Sequence, residues 1–311
     1  RYRMRRPLAT GGTDFDHAYP RYRFGSSVDH ELSLVDALLP DAPVNAPFPV
    51  HLRWQLVSPT RSGFYASLYL ADADGHVWAE IGQQVLNQAG FPTTAWPLPG
   101  ESDWADTTLV LPLPERIPPA TYTVQLTLSD ERGAQHGGWD ASGRFRGVRV
   151  PLGEVEVAPP PEPVGPRECR EGKVLSAGPL QVCHHRVLTT PSGTCHLEFI
   201  WSAIARPEAD YLVRLRVLDA AGAIVWERIE PLSAYPTSRW RVQDSFEAHY
   251  DLRLDPGLPA ADYLLTYNVV GPDGMPLWEL DEHLTPLTVP PHAREFELPE
   301  DITHPLNLTL G

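Results

Sequence analysis

The feature that most limits what this chain can fold into is a set of motifs that occurs twice. Asp72-Ala73-Asp74-Gly75 precedes Trp78, then come Phe91-Pro92-Thr93-Thr94-Ala95-Trp96 and Ile117-Pro118-Pro119-Ala120-Thr121-Tyr122. The same order returns as Asp219-Ala220-Ala221-Gly222 before Trp226, Tyr235-Pro236-Thr237-Ser238-Arg239-Trp240, and Leu258-Pro259-Ala260-Ala261-Asp262-Tyr263. The separation between copies is 147 residues at the aspartate (72 to 219), 144 at the later tryptophan (96 to 240) and 141 at the tyrosine (122 to 263). A slow drift of this kind comes from short insertions between matched blocks, as loops vary between copies of one fold. Two copies of one plan, one behind the other, are therefore expected.

Period-two patterning says what each copy is made of. Val50, Leu52, Trp54 and Leu56 fall on one side of a strand, with His51, Arg53 and Gln55 on the other. Ala66, Leu68 and Leu70 alternate with Tyr65, Ser67 and Tyr69 in the same way, and Gly75 is placed to close a hairpin to His76–Ile81. The 34 Pro and 23 Gly punctuate short apolar runs, and no helical period appears. Pro112 and Pro114 interrupt Leu109, Leu111 and Leu113, which places that strand at a sheet edge because proline donates no ladder bond. In the second copy the expected strands are Leu180–Leu188, His196–Trp201, Tyr211–Asp219, Ile224–Glu230, His249–Leu254, Tyr263–Val270, Pro276–Leu280 and a last one ending near Val289. The fold expected is all-β: two tandem antiparallel β-sandwiches, immunoglobulin-like or fibronectin-III-like. Tyr122 and Tyr263, each after a Pro-rich turn, are the expected corner tyrosines, with the ring in the core and the hydroxyl on nearby backbone. The boundaries read as an arm over 1–20, a sandwich over 21–157, a Pro-rich linker over 158–167, a second sandwich over 168–290, and an extension or further module over 291–311.

Forty acidic against 25 basic residues, a formal charge of −15, argue against nucleic acid as a partner. Lys173 is the single lysine; arginine carries the remaining positive charge, as in a GC-rich or thermophilic source. No apolar run reaches the roughly 18 residues that span a bilayer, and no signal peptide is visible. The chain opens on Arg1 with Arg3, Arg5 and Arg6 close behind. That start is read as an excerpt of something longer, its arm either a juxtamembrane segment or a disordered end.

Candidate chemistry is sparse. Cys169, Cys183 and Cys195 lie 14 and 12 residues apart, without Cys-x-x-Cys pairing. Three readings stand: one disulfide and a spare thiol, three reduced thiols, or a zinc site with His184, His185 or His196. The acidic-histidine groupings of His17 with Asp14 and Asp16, and of His283 with Glu279, Asp281 and Glu282, read as solvated surface. Asp72-Ala73-Asp74-Gly75 lacks the ligand series of a calcium loop and reads as a turn. No supported nucleotide or nucleophile-elbow motif appears. No catalytic residue, metal site or cofactor is assigned. Asn307-Leu308-Thr309 fits the glycosylation sequon incidentally. Among nine tryptophans, Trp78, Trp96, Trp226 and Trp240 hold matched places and read as packing, while Trp104, Trp139 and Trp278 lie in or near loops and could stack on a sugar.

In the Asp219–Gly222, Tyr235–Trp240 and Leu258–Tyr263 blocks, the chain resembles the extracytoplasmic C-terminal β-sandwich modules of large bacterial membrane glycosyltransferases. These are of the dolichyl-phosphate-mannose-type, lipid-linked-sugar class, common in Chloroflexi-like thermophiles. Such modules carry a strand ending in Asp-x-x-Gly, a Tyr-Pro-Thr-Ser-x-Trp segment followed by Gly-Glu, and a Leu-Pro-Pro-Gly-x-Tyr turn. Gly100-Glu101 keeps the Gly-Glu element in the first copy; the second has Gln243-Asp244, and Ala120 and Ala261 replace the glycine before the tyrosine. The resemblance covers about residues 21–290. It implies a non-catalytic, extracytoplasmic region tethered through its own upstream membrane domain, serving recognition or spacing toward a cell-surface glycan. The family's catalytic carboxylates lie in its membrane half, so none is carried over. A carbohydrate-binding module using Trp104, Trp139 and Trp278 is the alternative, and a β-sandwich hydrolase the third reading.

Overall fold

The computed structural model describes residues 21–25, 30–96, 104–166, 175–189, 194–253, 258–278 and 281–289. Among them the fold is all β, with antiparallel ladders, no α-helix and two short 3₁₀ turns. The expectations placed on 1–20 and 291–311, with His17 and Asn307 among them, lie outside the described residues.

Through residue 157 the strands are β1 (Tyr22–Gly25), β2 (His30–Leu38), β3 (Phe48–Leu56), β4 (Phe64–Ala71), β5 (Val77–Gln84), β6 (Ala105–Leu111), β7 (Thr121–Asp130), β8 (Gln135–Asp140), β9 (Phe145–Gly147) and β10 (Arg149–Glu156). After it come β11 (Leu175–Ala177), β12 (Leu180–Thr189), β13 (Thr194–Ala203), β14 (Leu212–Leu218), β15 (Ile224–Pro231), β16 (Ser245–Arg253), β17 (Ala261–Val270) and β18 (Glu282–Val289). Alternation drives burial: in β3 each of Phe48, Val50, Leu52, Trp54 and Leu56 is buried and the residues between them are not. Two hydrophobic cores result, one drawn from Phe24 to Val157 and the other from Leu180 to Leu287.

The second core lies between the inner faces of two four-stranded sheets, β11-β12-β13-β16 and β15-β14-β17-β18. The first is wrapped by one sheet running β5-β4-β7-β8-β1-β2-β3-β6, with β10 on the far side of β7 and β9 on β8. Two separate sheets were expected here; β8 joins them. It pairs with β7 only through His136 and Gln135, then crosses to β1 through Gly137–Asp140. Gly138 permits the crossing, since a Cβ there would stand 2.5 Å from Val150 Cγ1. The edge expected at Pro112 is present: β6 ends the sheet at Leu111. Pro276–Leu280, expected as a strand, is not one over its described part. Pro276 makes one isolated bridge to Val270, because the Gly271–Gly274 turn returns the chain immediately.

The duplicated motifs make the same bonds in both halves of the chain. Asp72 Oδ1 accepts from the amides of Asp74 and His76, and Asp219 Oδ1 from those of Ala221 and Ala223. The glycines closing these turns, Gly75 and Gly222, sit at φ 86° and 80°. Thr93 Oγ1 donates to the Ser62 carbonyl at 2.9 Å, and Thr237 Oγ1 to that of Ala209 at 2.9 Å. Trp96 and Trp240 end matching 3₁₀ turns and return their indole N–H to the carbonyls of Phe91 and Tyr235. Tyr122 donates to Pro118 O at 2.7 Å and Tyr263 to Pro259 O at 2.9 Å, each with its ring buried. One neutral hydrogen bond is worth about 1 kcal/mol net. Tyr122→Phe and Tyr263→Phe are therefore each expected to lower stability in urea by about that amount. A loss several-fold larger from only one of them would show that the two corners are not equivalent.

The proline run between the cores is held, not loose. Arg241 donates from Nη2 to Pro160 O at 2.8 Å and from Nη1 to Pro161 O at 3.0 Å. The Gly165 amide donates to Gln243 O at 3.0 Å, and the Glu247 amide to Arg116 O at 2.9 Å. The two cores thus meet along a bonded seam.

A candidate site at a histidine seam

Strand alternation builds one wall of this seam. In β13, Cys195, Leu197, Phe199 and Trp201 point into the core, which leaves His196 and Glu198 outside; in β16, Phe246, Ala248, Tyr250 and Leu252 point in, leaving Glu247, His249 and Asp251 outside. The register sets His196 opposite Asp251 and Glu198 opposite His249, so the two histidines are diagonal neighbours. The other wall is the β4–β5 hairpin of the first half. Its Asp72–Gly75 turn delivers His76 and Trp78 onto this face, with Trp78 Nε1 donating to Asp72 Oδ2 at 2.9 Å.

The three imidazoles pack together. His76 stacks on His249 with ring centroids 3.7 Å apart and planes 22° apart; His196 lies 5.2 Å from each. Trp78 meets His249 edge to face at 4.7 Å. The side chain of His249 is left 7% exposed and that of His196 18%. His196 Nδ1 lies 2.6 Å from Asp251 Oδ1, His249 Nε2 lies 3.0 Å from Glu247 Oε1, and His196 Nε2 faces His249 Nδ1 at 3.2 Å. Burial first, then the neighbouring His249 and His196, push the His76 pKa down to about 4, against the raising pull of Asp72 and Asp251. His76 is therefore neutral near pH 7. A cleft of about 460 Å³ opens beside the cluster, lined further by Asp74, Tyr122, Trp226, Arg228 and Glu230. Burial raises the Tyr122 hydroxyl pKa far above its ordinary value, so it stays protonated there. Chemically the seam offers imidazole nitrogens, carboxylates and aromatic faces.

The residues singled out in sequence fall elsewhere. Trp104 stands 46% exposed ahead of β6, with the Arg53 guanidinium 5.7 Å from its ring centroid. Trp139, on β8, leans on Phe145 at 5.1 Å. The β6 and β8 ends are four strand steps apart through β3, β2 and β1, roughly 19 Å at ordinary strand spacing. Trp278 packs on Tyr267 at 5.4 Å in the second core. The three therefore do not share one platform.

Cys195 is buried in the second core and its neighbour His196 faces outward, so one metal cannot take both. Cys195 pairs with Thr189 across β12–β13, whereas Cys183 sits six residues up β12, roughly 20 Å away along the strand. That exceeds disulfide reach, and any bridge in the set has to involve Cys169, outside the described residues. Asp281, grouped with His283 in sequence, is held by Arg216 Nη1 at 3.0 Å and Asn268 Nδ2 at 3.1 Å, a structural tie.

What sequence reasoning missed is the histidine cluster. The signal was Glu247-Ala248-His249-Tyr250-Asp251, a histidine between two acids on the outer face of one strand. Nothing in the sequence brings His76, 173 residues from His249 (76 to 249), onto it.

No family model matches the chain, and no curated protein does either. Among solved structures, a DUF3823 family protein from Bacteroides ovatus aligns over 82% of this chain and 96% of its own, at 9% identity and a TM-score of 0.25. A putative beta-galactosidase from Bacteroides fragilis aligns over 79% of this chain and 34% of its own, at 11% identity and a TM-score of 0.22. Likenesses that distant carry no argument about function.

Proposed function

We propose that the chain is a non-catalytic tandem of immunoglobulin-like β-sandwiches, residues 21–157 and 168–290, exposed outside the cell as part of a larger membrane protein. A lipid-linked-sugar glycosyltransferase is the parent this reading favours, and the tandem spaces or presents that enzyme's surface partner. The observation that carries it is the clamped linker. Arg241 fixes the Pro160 and Pro161 carbonyls against the second half, and the Glu247–Arg116 backbone bond closes the seam. A spacer needs such a fixed angle, which a loose tether does not give. The matched turn, tryptophan and tyrosine bonds support a duplicated module. Protease added to whole cells making the parent protein is expected to digest this region while sparing a cytoplasmic marker. Equal protection of region and marker would sink the proposal.

A second reading, binding of a surface glycan, is favoured by one specific feature. Trp139 and Phe145 form an aromatic pair on β8–β9, with Phe145 54% exposed. Aromatic faces of this kind stack on sugar rings. In this reading, tryptophan fluorescence responds to an acceptor oligosaccharide and Trp139→Ala weakens that response at least tenfold. An undiminished response in the variant counts against it.

A further inference from the structure

From the geometry of the seam, we infer a site for one divalent transition-metal ion of the zinc class, ligated by His76 of the first half and His196 and His249 of the second. The inference does not depend on where the protein resides or what carries it.

First, one nitrogen from each ring lies within 4.8 Å of the others. A zinc–imidazole bond of about 2.1 Å sets ligand nitrogens about 3.4 Å apart in a tetrahedron. His196 Nε2 and His249 Nδ1 already stand 3.2 Å apart; His76, carried on a hairpin end, has to shift by about an ångström and turn its ring out of the stack on His249 so that its in-plane lone pair points at the ion.

Second, the flanking acids set which ring nitrogens face each other. Asp251 fixes a proton on His196 Nδ1 and Glu247 fixes one on His249 Nε2. With those tautomers the two facing nitrogens present lone pairs to each other, an arrangement that suits a cation between them. His76 offers a third imidazole nitrogen within 4.8 Å of both. A plain ring stack would need no such facing nitrogens.

Third, both second-half ligands carry a carboxylate on the nitrogen away from the metal position, which fixes their tautomer and strengthens them as donors. Imidazole donors select zinc, nickel or copper over magnesium or calcium. Three ligands leave a fourth position toward the cleft for water or an anionic group. The ion would tie the halves of the chain across a seam that hydrogen bonds already close.

The test is calorimetric titration of the intact chain, stripped with EDTA, using zinc and, separately, magnesium. One equivalent of zinc per chain is expected with a micromolar or tighter Kd, and no heat from magnesium. His76→Gln, whose change lies on a half-exposed turn and leaves both cores untouched, is expected to weaken zinc at least tenfold. Its melting temperature without metal should fall by no more than about 4 °C, the cost of one lost ring stack. A cobalt-loaded sample should lack thiolate-to-metal charge-transfer absorption. No stoichiometric zinc, equal binding of magnesium, full affinity in His76→Gln, or thiolate bands from the cysteines would each overturn the assignment.

Discussion

Trp240→Ala is expected to remove about 4 kcal/mol from the stability of the second core. The ring is 1% exposed, meets Phe246 at 5.0 Å and a tilt of 66°, and donates its N–H to Tyr235 O at 3.0 Å. Truncation leaves a cavity the size of an indole and takes the donor from a carbonyl in the same turn. Its counterpart Trp96 makes the equivalent bond but is only partly buried at the margin of the first core. Trp96→Ala should therefore cost about half as much. Urea unfolding of both variants decides the matter, with each core's transition followed separately should the two not coincide. Equal losses would mean that matched sequence, not burial, sets what these tryptophans contribute.

Arg241→Ala is expected to cost about 2 kcal/mol and to free the linker. The Asp244 side chain is 3% exposed, and its carboxylate is held by the Arg241 guanidinium at 2.9 Å and by the Arg241 backbone N–H at 2.6 Å. Removing the guanidinium leaves a buried charge on one remaining donor and strips the Pro160 and Pro161 carbonyls of theirs. The figure sits below that of a fully buried pair because the arginine is 41% exposed. Arg241→Lys should recover little, since an ammonium cannot fork between a carboxylate and two carbonyls. Limited proteolysis within residues 158–166 and the urea midpoint are the two readouts. A linker as resistant as before, with stability unchanged within about 0.5 kcal/mol, would show that the clamp is ornamental.

How much of this was legible in the sequence follows from the range of the forces involved. Alternation in β3 and β4, the aspartate turns and the edge at Pro112 are local, and each is written within a few neighbouring residues. The corner tyrosines were legible too, because four residues separate each hydroxyl from its carbonyl. β8 was not, since Gln135–Asp140 contains two glycines and no apolar alternation; it is a strand because β1, β7 and β9 flank it. The histidine seam was hidden for the same reason at longer range. His196 and His249 meet only through the β13–β16 register, and His76 reaches them only once the halves of the chain dock. Reading His196 beside Cys195 followed adjacency along the chain, while a strand sends neighbours to opposite faces.

The doubled hairpin carries a last implication. At residues 72–76 the tip is exposed, but the turn ends on His76, which with Trp78 lies against His249, so an insertion that displaces His76 would unseat the contact. Its twin at 219–223 turns Ala220, Ala221 and Gly222 to open solvent. Drift, or an engineer looking for a place to graft a peptide or a fluorophore, has latitude at the second copy that the first copy has surrendered.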